Sequence, residues 1–157
     1  LWLGSHHIVR DMLLLEGDIL FEPSLLKKLV GNSSPNAAVV DTFQSHMDGT
    51  VVLSQNGFVS SMVLKSNQPS DVDYQNALKT VNIYKFSKET MQTQLIQTLE
   101  AWVLKGLPDQ FYEATIAEIV EERSIQLAIQ RSGNSSWVEI DTILDVDRAH
   151  TEIRWIR

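Results

Sequence analysis

Apolar residues are spaced along this chain in two rhythms. Short unbroken runs bounded by polar turn formers have the length of strands, whereas stripes that recur every three or four residues belong to helices. Met12–Leu15 is the first unbroken run; it stops at Glu16-Gly17-Asp18 and resumes as Ile19–Phe21. This predicts a strand buried on both faces of a sheet, with polar residues at its carboxyl end. Leu25, Leu26, Leu29 and Val30 then form a helical stripe, opened by Pro23-Ser24 and closed by Gly31. After the loop composition of residues 32–36, a second buried-strand run covers 37–40 and ends at Asp41. Residues 50–53 and 58–64 flank Asn56-Gly57, the dipeptide best suited to a tight hairpin turn. A polar loop over 65–76 leads to Leu78–Phe86, whose Val81, Ile83, Tyr84 and Phe86 suit a strand.

From Ser87 the period changes. Ser87 suits an N-cap, Glu89 suits the positive end of a helix dipole, and Met91, Leu95, Ile96, Leu99, Trp102 and Val103 recur at helical spacing until Gly106-Leu107-Pro108. A further helix is predicted over 111–122 with Tyr112, Ile116, Ile119 and Val120 inward, followed by strands over 125–129 and 137–140 and a last helix from Thr142. Trp102 and Trp137 are expected in the core, and residues 1–9 read as the end of a helix. There is no internal repeat and no linker that divides the chain, so one α/β domain with a mixed sheet is expected over residues 1–157.

Composition narrows the function classes. With 157 residues, 43% of them hydrophobic, the chain can bury a core without cross-links, and the absence of cysteine excludes disulfides and Cys-ligated zinc. A reducing compartment, the cytoplasm, is the default expectation. Thirteen basic against 20 acidic side chains, a net charge of −7, argue against a nucleic-acid-binding surface or a polybasic membrane anchor. The apolar runs fall far short of the roughly 20 residues that span a bilayer. The opening Leu1-Trp2-Leu3, without an initiator Met, reads as a fragment of something longer. His6, His7, His46 and His150 lack metal-ligand spacing, and no serine sits in a nucleophile elbow.

In open α/β sheets ligands gather at the carboxyl ends of strands. Two acidic strand ends therefore stand out: Glu16-Gly17-Asp18 and Glu139-Ile140-Asp141. Magnesium is commonly held by one or two carboxylates plus substrate phosphates, so an aspartate from each is sufficient; residues of this type also serve as turn formers or helix caps.

The run from Leu13 to Phe21 resembles the first metal-binding acidic motif of the sugar-phosphate and choline-phosphate nucleotidyltransferases, which share a Rossmann-like mixed α/β fold. Other motifs follow in order. Gly57-Phe58-Val59, Lys65 and Pro69 are similar to a glycine–valine, then lysine–proline pattern of the nucleotide-sugar pyrophosphorylases, and residues 79–87 to their next strand. Trp137-Val138-Glu139-Ile140-Asp141, with Asp145 and Asp147 beyond it, resembles the closing motif of the bacterial phosphocholine cytidylyltransferase branch, and residues 46–52 fit that branch and its relatives acting on aminoethylphosphonate.

The resemblance implies that Asp18 and Asp141 are catalytic and bind Mg²⁺, with Glu139 a neighbouring acidic group on the substrate side. Lys65 or Lys79 would hold an anionic oxygen of the nucleotide; the other reading of each is a solvated edge charge. Tyr112 and Glu113 resemble an aromatic–acid pair at the acceptor site, although Tyr112 at helical spacing with Ile116 also fits the core. The implied reaction moves CMP from CTP to phosphocholine or a similar aminoalkyl phosphate or phosphonate. A sugar-1-phosphate nucleotidyltransferase and a noncatalytic α/β binding module are the alternatives. One departure is large: no Gly-x-Gly occurs in the chain, so the family's Gly-rich phosphate loop, with its Arg and Lys, has no counterpart. An N-terminally truncated fold is therefore expected, inactive as it stands, with an uncovered sheet edge or helix face near Met12–Leu15 that invites poor solubility or self-association unless a partner covers it.

Overall fold

The computed structural model describes residues 1–44, 47–68, 77–107 and 112–153. His46, Pro69, Pro108, Phe111 and much of the loop over 65–76 lie outside the described residues. A 3₁₀ turn, Trp2–His7, precedes β1 (Met12–Leu15), β2 (Ile19–Phe21), α1 (Pro23–Gly31), β3 (Ala37–Thr42), β4 (Val51–Gln55), β5 (Phe58–Val63) and β6 (Leu78–Phe86). Next, α2 (Lys88–Thr90) continues through a π-helical turn (Met91–Leu95) into α3 (Ile96–Leu104); α4 (Tyr112–Glu121), β7 (Ala128–Arg131), β8 (Trp137–Glu139) and α5 (Ile143–Glu152) complete the order.

Six strands form one sheet in the order β1-β6-β3-β7-β5-β4, and β4 also pairs with the first residues of β6. The β3–β7 pair is parallel and the other pairs are antiparallel, which makes the sheet mixed as expected. Period-two alternation sorts side chains between two cores. Ala37, Val39, Val81 and Ile83 meet Leu25 and Leu29 of α1 on one face. On the other, Ala38, Val40, Tyr84 and Phe86 meet Met91, Leu95, Ile116 and Ile119 from the helices. No helix among the described residues is long and apolar enough to cross a membrane.

Three expectations are corrected. Met12–Leu15 is not buried on both faces: it hydrogen-bonds to β6 alone among the described strands, and Leu13 reaches solvent. The strand expected over 125–129 begins at Ala128, because Arg123 takes a left-handed φ of 56° and the Ser124 N–H bonds to the Ile119 carbonyl, closing α4 with a turn that uses up residues before the chain can extend. The strand expected over 137–140 does not join the main sheet; β8 pairs with β2 in a separate antiparallel ribbon, Ile19 opposite Glu139.

Candidate functional site

The register of β6 with its neighbours decides where the polar groups collect. Leu15 lies opposite Ile83, so the carboxyl end of β1 meets the middle of β6, and Thr42 lies opposite Leu78, so the carboxyl end of β3 meets the start of β6. The β2–β8 ribbon is tied to this end by the Trp137 indole N–H, which donates to Asp41 Oδ2 at 2.7 Å, and by Lys79 Nζ, 3.4 Å from Glu139 Oε2.

On the face covered by α4, a chain of polar contacts is built from residues far apart in sequence. Tyr112 OH donates to Glu16 Oε1 at 2.8 Å, and Asn82 Nδ2 donates to Glu16 Oε2 at 2.7 Å. Thr80 Oγ1 donates to Asn82 Oδ1 at 2.6 Å and lies 3.4 Å from Glu113 Oε1, which is also 3.4 Å from the Tyr84 hydroxyl. Tyr84 and Tyr112 meet edge to face at 6.2 Å. Burial raises the Glu113 carboxyl above its usual range, with Thr50 acting against this and the Glu16 charge adding to it. Burial and then Glu16 push the Tyr112 phenol far up, so it stays a donor at neutral pH.

On the opposite face Lys79 is 1% exposed. Its ammonium donates to the Thr80 carbonyl at 3.0 Å and faces Glu139. Gly49, at φ +99°, makes room for it: a Cβ there would come within 2.8 Å of Lys79 Nζ. Burial raises the Glu139 carboxyl, and the Lys79 charge opposes the shift. Lys79 is therefore an internal counterion in this structure, while Lys65 is exposed and ion-paired with Asp48. Hydrogen bonding to Lys65 first, then the Gly49 N–H, holds the Asp48 carboxyl below its usual value against a smaller pull from burial.

Asp18 and Asp141 both flank the ribbon. Ile19 pairs with Glu139, and the Ile140 N–H donates to the Asp18 carbonyl at 2.9 Å, which sets Asp18 beside the residue preceding Asp141. Both are exposed, and among the described residues neither carboxylate has a hydrogen bond or ion pair. No group of three or more His, Asp and Glu side chains able to share one ion occurs among the described residues. Two free hard-oxygen donors nevertheless fit Mg²⁺, which completes its shell with water and phosphate oxygens. Asp145 is committed elsewhere: its carboxylate accepts from the Thr142 N–H and hydroxyl, both at 2.8 Å, as the capping box of α5.

A cleft of about 940 Å³ opens beside these groups, with Trp137 on its wall. Asp41, Asp48, Glu139, Asp141 and Glu152 line it against Arg148, whose guanidinium is itself 3.3 Å from Asp145 and 3.9 Å from Glu152. A polyphosphate entering such a cleft needs a cation between itself and the wall.

The site residues expected from sequence thus fall into three groups: Asp18, Asp141 and Glu139 along the ribbon, Tyr112 and Glu113 with Glu16 under α4, and Lys79 between them. Lys65 stands at the rim with Asp48. Tyr112 packs against the core and on Tyr84, as its helical spacing expects, and its hydroxyl bonds to Glu16. Trp137, expected in the core, is half-buried and borders the cleft because its N–H is drawn to Asp41. Sequence reasoning passed over Asn82 and the side-chain role of Glu16. The one signal was an asparagine inside an otherwise β-favouring run, where it is disfavoured.

No family model matches the chain. A curated relative, the CMP-5′-(3-aminopropyl)phosphonate synthase of Streptomyces rubellomurinus, is 24% identical over 140 residues, which is 88% of this chain and 22% of the relative. Among solved structures, the inositol-1-phosphate CTP transferase of T. maritima superposes with a TM-score of 0.67 at 18% identity, over 92% of this chain and 55% of its own. The fold is that of the nucleotidyltransferases. A UTP-bound UGPase from Acinetobacter baumannii gives a TM-score of 0.69 at 16% identity, covering 94% of this chain and 52% of its own. This nucleotidyltransferase-fold chain therefore spans little more than half the length of these solved neighbours and about a fifth of the curated relative.

Proposed function

We propose that this chain forms the acceptor and metal side of a Mg²⁺-dependent nucleotidyltransferase that moves CMP from CTP to phosphocholine or a similar aminoalkyl phosphate or phosphonate. The observation that carries the reading is the β2–β8 ribbon, which sets the unpaired Asp18 across from Ile140, next to the unpaired Asp141 on the wall of the cleft. In the reaction an oxygen of the acceptor's phosphate or phosphonate attacks the α-phosphorus of CTP; a P–O bond forms there, the bond to the β-phosphate oxygen breaks, and pyrophosphate leaves. Mg²⁺, when bound, supplies charge neutralisation and alignment of the phosphates. Asp18 and Asp141 would hold it.

The other residues act by position and charge. Lys65 reaches Asp141 electrostatically and is held on the rim by Asp48, so it is available to exchange that partner for an anionic oxygen. Lys79, enclosed under Gly49, keeps Glu139 in place rather than meeting the nucleotide directly. The acidic side chains of the cleft, together with Trp137 on its wall, favour a cationic ammonium on the acceptor. The aminopropylphosphonate relative supports that acceptor class.

The alternative acceptor, a sugar or inositol phosphate, is supported by the solved neighbours. Calorimetric titration of the intact gene product with phosphocholine, 2-aminoethylphosphonate and glucose-1-phosphate separates the two. Tight binding of an aminoalkyl compound with none of the sugar phosphate is expected; the reverse result replaces the acceptor. In the same protein Asp18→Asn is expected to keep the fold and weaken Mn²⁺ binding at least tenfold. An unchanged affinity removes Asp18 from the metal site.

A further inference from the structure

Asn82 is the point of backbone strain nearest the candidate site. It lies inside β6, buried, with φ 56°, a left-handed conformation that most side chains avoid and that asparagine tolerates better than most. The strain has a local geometric consequence: between Ala38↔Tyr84 and Val40↔Thr80, β6 uses four steps against two in β3, so the strand bulges around Asn82. A strand needs no asparagine for such a bulge, since glycine would fill it at lower cost. What the side chain adds is a pair of contacts. Its amide donates to Glu16 Oε2 at 2.7 Å, its carbonyl oxygen accepts from Thr80 Oγ1 at 2.6 Å, and its main-chain carbonyl accepts from the Glu16 N–H at 3.2 Å.

Glu16 is thus fixed to Asn82 twice, through main chain and side chain, while Tyr112 holds its other oxygen. Gly17, between Glu16 and Asp18, has no heavy atom within 4 Å of where its Cβ would stand, so nothing packs the turn from its side. The direction of Asp18 then depends on how firmly the chain is held on either side of Gly17. The Asp18 carbonyl is bound by the Ile140 N–H on one side, and Glu16 provides the anchor on the other.

We propose that Asn82 is a positioning residue: it accepts a left-handed backbone inside β6 so that its amide locks the Glu16 carboxylate and, across Gly17, fixes the chain at Asp18 against Ile140, the residue before Asp141. The part of this that concerns metal rests on the reading of Asp18 and Asp141 as a Mg²⁺ pair. Loss of an outer contact of this kind lowers metal affinity roughly 10- to 100-fold in metal sites generally.

Asn82→Gly tests it, because glycine keeps the left-handed backbone and removes only the side chain. Three quantities are read on the intact protein: thermal unfolding, Mn²⁺ affinity by electron paramagnetic resonance, and amide hydrogen exchange at Glu16 and Ile140. The expected result is a melting temperature close to that of the parent protein, an Mn²⁺ dissociation constant raised at least about tenfold, and faster exchange at Glu16 and Ile140 with Ala38 and Tyr84 unchanged. Unaltered affinity and exchange overturn the proposal, as does a large drop in melting temperature with faster exchange throughout β6, which would make Asn82 a purely structural residue. If Asn82→Gly does not fold, Asn82→Asp is measured in the same way; it tolerates the backbone but sets a carboxylate against Glu16, and retained exchange protection there is equally contradictory. If the parent protein binds no Mn²⁺, the metal reading fails, and the exchange data alone decide whether Asn82 anchors Glu16.

Discussion

Glu113 is a carboxyl whose protonation burial controls. Its carboxyl is raised above the ordinary value of 4.5, first by burial and further by the Glu16 charge. In the unfolded chain it ionises near the ordinary value, so above that pH the unfolded state has released a proton that the folded state still favours. Its contribution to stability is therefore lost as pH rises from 4.5 through the folded-state value. Glu113→Gln removes the penalty, and its melting temperature relative to the parent is expected to improve between pH 4.5 and pH 7. A difference that stays flat or shrinks over that range would show that the carboxylate is better solvated than its surroundings indicate. At this scale the sequence displayed chemical types but not partners. Asp18, Asp141 and Glu139 were legible as candidates from their places at strand ends, and Tyr112 and Glu113 only through the family resemblance, whereas the bonding of Glu16 to Asn82 spans 66 positions and depends on a bulge.

Elements with local causes were the most legible. Asn56 and Gly57, at φ 53° and 82°, make the hairpin turn that their dipeptide predicts, because both positions need a left-handed backbone. Ser87 caps α2 as its sequence indicates, accepting the Thr90 N–H at 3.1 Å. Ser87→Ala is expected to cost about 1 kcal/mol, which in a domain of this size lowers the melting temperature by roughly 2–4 °C. Metal affinity should not change, since the cap lies away from the cleft; thermal unfolding and an Mn²⁺ titration of the variant check both halves. Elements with long-range causes were less legible. The π-helical turn at Met91–Leu95 leaves the apolar period almost intact and so is invisible in the pattern. The β2–β8 ribbon was hidden for another reason: a three-residue strand is too short for periodicity to reveal which sheet it joins.

For the whole molecule, mixed α/β architecture followed from the alternation of runs and stripes, but the edge position of β1 did not, because an apolar run reads the same whether one or both of its sides are paired. The expectation of an open edge near Met12–Leu15 came from the family resemblance, and β1 bonds to β6 alone among the described strands. Leu13, 36% exposed on this edge, offers little to discourage pairing with another chain. Sedimentation velocity of the 157-residue chain is expected to show concentration-dependent association that Leu13→Lys reduces; a monomer at all concentrations would show that the edge is protected. The acidic cleft belongs to the same scale. Its carboxylates would repel a bare nucleoside triphosphate, which is the electrostatic ground for the divalent cation and the cationic acceptor in the proposed function.

The most direct measurement of the central claim is phosphorus NMR of the intact gene product incubated with CTP and 2-aminoethylphosphonate, with and without Mg²⁺. The account predicts equal amounts of pyrophosphate and a CMP–phosphonate conjugate, formed only with Mg²⁺ and lost in Asp18→Asn. CTP left intact with this acceptor, phosphocholine and sugar phosphates alike, in a folded protein, would contradict it.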